Sequence, residues 1–112
     1  MNEFNSSIEG RILDRRKGDE RYGQLFVEHF CIADVLIEKI MRNGQNYHGQ
    51  YEVGDTLRIF FHFTLESTGS LFPELDHPLP GLKAKDVFEA ELTEKEGEPP
   101  FTVYLYKRKI PE

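Results

Sequence analysis

Apolar side chains recur at every second position in several stretches of the chain, the spacing of a strand with one buried face. The clearest stretch follows a Gly54-Asp55 turn, where Leu57, Ile59, Phe61, Phe63 and Leu65 alternate with Arg58, Phe60, His62, Thr64 and Glu66. Residues 86–93 repeat the pattern, with Phe88, Ala90 and Leu92 facing one way and Glu89 and Glu91 the other. Residues 101–109 set Phe101, Val103 and Leu105 against Thr102, Tyr104, Tyr106 and Arg108. A shorter apolar segment over residues 8–16 closes at the turn signal Lys17-Gly18-Asp19.

Residues 25–41 fit two templates. As a helix, Phe26, Phe30, Ala33, Ile37, Ile40 and Met41 form one stripe. As a strand, the odd positions Leu25, Val27, Cys31, Ala33, Val35, Ile37 and Met41 share a face. The β-branched residues Val27, Ile32, Val35, Ile37 and Ile40 favour the strand, which at this length has to bend or carry a bulge. The expected fold is therefore mainly β, a small five-stranded antiparallel barrel (OB-like) or sandwich. The alternative is α+β, with one helix over about residues 23–42 packed on a four-stranded antiparallel sheet. One domain spans residues 1–112, residues 1–7 reading as a disordered tail. Pro73, Pro78 and Pro80 make residues 68–85 a loop.

Charge narrows the function classes. The net charge of -6 is spread evenly with no basic stripe, which excludes a duplex-DNA binder that works by neutralising phosphates. The single Cys31 has no partner for an internal disulfide and, with no leader segment in view, points to a reducing cytoplasm. No membrane association is expected, because Glu28, Asp34 and Glu38 interrupt the most apolar run. No phosphate-cradling glycine loop occurs, and no cofactor is expected. Glu74, Asp76 and His77, with His62, offer metal-ligand atoms but none of the recognised ligand spacings, so no metal is expected either. Ile8-Glu9-Gly10-Arg11 matches a protease-cleavage tetrapeptide and is read as a native strand.

The polar faces of the last strands carry the candidate binding residues Phe60, His62, Tyr104, Tyr106 and Arg108. Exposed rings of this kind most often mark contacts with protein. The leading expectation is a non-catalytic binding module that meets another protein, or a second copy of itself, through this aromatic face or the Pro-rich loop. An alternative is a single-stranded nucleic-acid binder, with Phe60, Tyr104 and Tyr106 as stacking platforms and Arg58, Lys107, Arg108 and Lys109 guiding the backbone. The acids among residues 86–98 oppose that reading.

Two resemblances complete the picture. With a helix over residues 25–41, the order of elements resembles a shortened hotdog-fold thioesterase or dehydratase, which implies an acyl-thioester enzyme with Glu28, His29 and Asp34 as acid and base candidates. Residues 54–66 resemble the first strand signature of FKBP-type prolyl isomerases, and residues 81–86 their later turn. The chain has no Trp and lacks the glycine expected before Leu65, so no active-site residue carries over.

Overall fold

The computed structural model describes residues 5–18, 20, 23–45, 47, 49–66, 79–94 and 101–109. Along them run β1 (Ser6–Lys17), α1 (Gln24–Glu28), β2 (Phe30–Arg42), β3 (Thr56–Phe61), β4 (Val87–Glu94), β5 (Phe101–Val103) and β6 (Tyr106–Lys109). Hydrogen bonding passes from β1 to β2, β3, β5 and β4, and β4 pairs back onto β1. The ring is closed, a small OB-like barrel with β6 as an extra strand on β4.

The expected all-antiparallel pairing is corrected at one junction, where β3 and β5 run parallel through Phe60↔Thr102 and Phe61↔Val103. The reason is topological. Strand directions can alternate all the way round a ring only when the number of strands is even, so a ring of five must contain a parallel pair.

The segment on which the fold turned is a strand. In β2, Cys31, Ala33, Val35 and Ile37 are fully buried while Ile32, Asp34, Leu36 and Glu38 face outward. The helix expected in the alternative over 23–42 exists only as the five residues of α1. Helical packing of that stripe would have needed Met41 inside, and Met41 is largely exposed. β1 and β2 are long for a barrel this small and bend through register shifts. One falls between Ile12↔Val35 and Asp14↔Asp34, where the extra residue Leu13 turns to solvent. Such bends let flat strands close into a tilted ring.

Closure also needs Gly10, which faces inward where β1 crosses to β4, opposite Phe88. A Cβ there would lie 2.5 Å from Val35 Cγ1 and 3.3 Å from the Phe88 ring. The Ile8-Glu9-Gly10-Arg11 tetrapeptide is thus an integral part of the barrel wall. The expected tail over residues 1–7 is also corrected at its end. Asn5 is buried and donates from Nδ2 to Thr93 Oγ1 at 3.2 Å, and β1 begins at Ser6, which is paired with Leu92.

Inside, Ile8, Ile12, Val35, Ile37, Ile59, Phe61, Phe88 and Val103 form the central packing. Tyr51, edge-on to both Tyr47 and Phe101, closes one side of it. Leu65, Leu79 and Leu82 add to the same core from the connections outside the strands.

The residues expected as one last strand, 101–109, contain a bulge. β4 pairs Thr93↔Thr102 on one side of it and Ala90↔Tyr106 on the other, so β5–β6 holds one residue more than β4 over the same span. A one-residue slip reverses every side chain beyond it. Tyr106 therefore turns inward and Leu105 outward, opposite to the simple alternation.

Candidate functional site

The bulge redistributes the five residues expected to bind. Tyr106 is 7% exposed and belongs to the core, its ring edge-on to Phe61 and Phe88 and its hydroxyl oxygen accepting from the Gly81 N–H at 2.8 Å. Burial pushes the Tyr106 phenol up to about 12. Its assignment to a wet face is corrected, and the cause is the extra residue just before it. Phe60 is likewise 7% exposed. It does point away from the barrel interior, as the alternation requires, but α1 covers it, with the Phe26 ring 5.1 Å away in an edge contact.

His62 and Tyr104 are brought together and stay at the surface. Their rings lie 4.9 Å apart at a 41° tilt, and Phe63 stands edge-on to His62 at 4.8 Å. The backbone holds the pair in place, because the His62 N–H donates to Val103 O at 2.9 Å where β3 and β5 end side by side. Tyr104 is 36% exposed and Leu105 58%. The two border a shallow hollow of about 160 Å³ whose other walls are Asn5, Glu91 and Thr93. The patch is thus a small apolar and aromatic surface with a polar rim. Leu105 was not foreseen, since alternation places it in the core and no residue type marks the bulge.

Arg108, the fifth expected residue, is exposed on β6 and lines a different and larger cleft of about 340 Å³. Among the described residues, Arg15, Phe30, Leu65, Glu66, Pro80, Gly81, Leu82 and Lys83 form the rest of its wall.

The acid and base candidates are engaged elsewhere. His29 Nδ1 lies 2.7 Å from Glu66 Oε2, which also accepts from the Phe30 N–H at 3.0 Å. Asp34 sits between Arg16, at 3.1 Å, and Arg58, at 3.3 Å. Glu28 is exposed on α1. Cys31 is buried inside the barrel. Glu74, Asp76 and His77 lie outside the described residues. No group of metal-ligating side chains occurs among the described residues. Nor is any helix among them long and apolar enough to cross a membrane.

On the outer wall, Lys109 Nζ reaches Glu9 at 2.7 Å and Glu89 at 2.6 Å. The hydrogen bond from Lys109 holds the Glu9 carboxyl below its usual range, and the two carboxylates raise Lys109. These groups pin β1, β4 and β6 together and form no cleft. No protein-family model matches the chain, and no curated protein matches it in sequence.

Proposed function

We propose that the protein is a non-catalytic module that binds another polypeptide through the surface formed by His62, Phe63, Tyr104 and Leu105. The observation that carries this reading is the bulge between β5 and β6, which turns a leucine outward beside the tilted His62–Tyr104 ring pair. Bulges recur where a strand must re-aim a side chain. An apolar centre with a polar rim is the ordinary anatomy of a protein contact. Asn5, Glu91 and Thr93 supply such a rim.

The single-stranded nucleic-acid reading has less to stand on. Two of its three stacking rings, Phe60 and Tyr106, are covered. The acyl-thioester reading loses the central helix on which the hotdog resemblance rested.

The test compares Tyr104→Ala and Leu105→Asp with the parent chain, by sedimentation for self-association and by pull-down for a heterologous partner. Both substitutions are expected to weaken association at least tenfold, and Leu105→Asp, at the more exposed of the two side chains, is expected to do so with little change in Tm. If both variants associate as the parent does, this surface is not the contact.

A further inference from the structure

The 340 Å³ cleft gathers two arginines and a lysine. Of the six described arginines, Arg11, Arg16, Arg42 and Arg58 are each paired with a carboxylate, through Glu38, Asp34, Glu91 and Asp34. Arg15 and Arg108 have no carboxylate partner among the described residues, and both line this one cleft, with Lys83 as a third cation. In a chain of net charge -6, that clustering is a local concentration of positive charge.

The cleft is also built. Arg15 is fixed at two points: its guanidinium carbon lies 4.5 Å from the centre of the Phe30 ring, and Nη1 donates to Leu82 O at 3.1 Å. The Leu82 N–H donates to Leu65 O, and the Lys83 N–H to the Asp86 carboxylate at 2.8 Å, so the wall carrying Lys83 is held. Among the described residues the one acid lining the cleft, Glu66, is tied back by Phe30 and His29. The turn that delivers Glu66 holds Thr64, a fully buried β-branched residue, at φ 67°. Backbone strain of that kind collects at ligand sites.

We infer that this cleft binds a small polyanion through its oxyanion groups. Guanidinium groups match the planar fork of a carboxylate or the oxygens of a phosphate, and the cleft has the size of a small-ligand site. This site is separate from the contact patch and does not depend on it.

The experiment is a nuclear magnetic resonance titration of the full chain at low ionic strength, with pyrophosphate and, in a parallel arm, malonate. Saturable shifts confined to the amides of Phe30, Leu82, Lys83 and Arg108 are expected, and the tighter arm tells a phosphate ligand from a carboxylate one. Arg108→Gln and Lys83→Gln should each weaken binding about tenfold, whereas Arg58→Gln, on another face, should leave it unchanged. Arg108 and Lys83 are exposed, so both variants are expected to fold, and the amide spectrum checks this directly. Absence of localised shifts in both arms, or equal affinity in all three variants, overturns the inference. A short oligothymidylate that displaces pyrophosphate from these residues with higher affinity overturns the small-ligand assignment.

Discussion

Gly10 and Tyr106 show how much depends on single positions. A methyl group at Gly10 meets the stiff, fully buried Val35 side chain and the ring of the fully buried Phe88. Gly10→Ala is expected to destabilise the barrel by about 1–3 kcal/mol through overpacking, measured by urea denaturation. Tyr106→Phe keeps the ring but leaves the Gly81 N–H without its acceptor, at a cost of about 1–3 kcal/mol. The same hydroxyl makes stability depend on alkaline pH. Because folding raises its pKa from 10.0 to about 12, the unfolded chain releases this proton first. Stability should hold below pH 10 and fall as the pH rises toward 12, and Tyr106→Phe should show a shallower fall. Glu9 works on the acid side with the opposite sign, since folding lowers its pKa. Its contribution is present above its ordinary value and is lost as the pH falls through the lowered one. Lys109→Met should remove much of that acid-side dependence in a pH series of denaturation midpoints.

Among the elements, β4 was legible because alternation and burial agree residue by residue from Phe88 to Leu92. The alternation of β2 from Cys31 to Ile37 also matches burial, but that segment fits a helical stripe as well and is favoured as a strand only by its β-branched residues. Two elements were not legible. α1 is five residues long, too short for helical periodicity to register, yet it sets the Phe26 ring edge-on against Phe60. Phe26→Ala is expected to cost at least the roughly 0.5–1.5 kcal/mol of the ring pair and to expose Phe60, read from denaturation and from the Phe60 ring resonances. The bulge before β6 escaped for a different reason. Leu105 and Tyr106 are both large and β-compatible, so local sequence does not distinguish the two phases. The choice is made by the space beside Phe61 and Phe88 and by the Gly81 donor, which are remote in sequence. Of the expected site, His62 and Tyr104 were found together, while Leu105 and the arginine pairing pattern emerge only from the folded arrangement.

For the molecule as a whole, closure of the ring packs the interior with side chains, so the proposed sites lie on the outer surface and in a cleft at its margin. Ion pairs cross the wall, between β1 and β2 and, over an intervening strand, between β2 and β4 and between β1 and β6, and exposed charge pairs of this sort contribute little stability each. What distinguishes parts of the surface is where these ion pairs are interrupted: by rings and a leucine at the bulge, and at the cleft by arginines with no carboxylate partner among the described residues. The bulge is the common root, since it turns Leu105 out beside Tyr104 and drives Tyr106 into the core. Nuclear Overhauser contacts of residues 105 and 106 test it most directly. The Tyr106 ring should contact Phe61 and Phe88, while the Leu105 methyl groups contact neither. A spectrum in which Leu105 makes those contacts and Tyr106 does not would contradict the bulge, and with it the proposed contact surface.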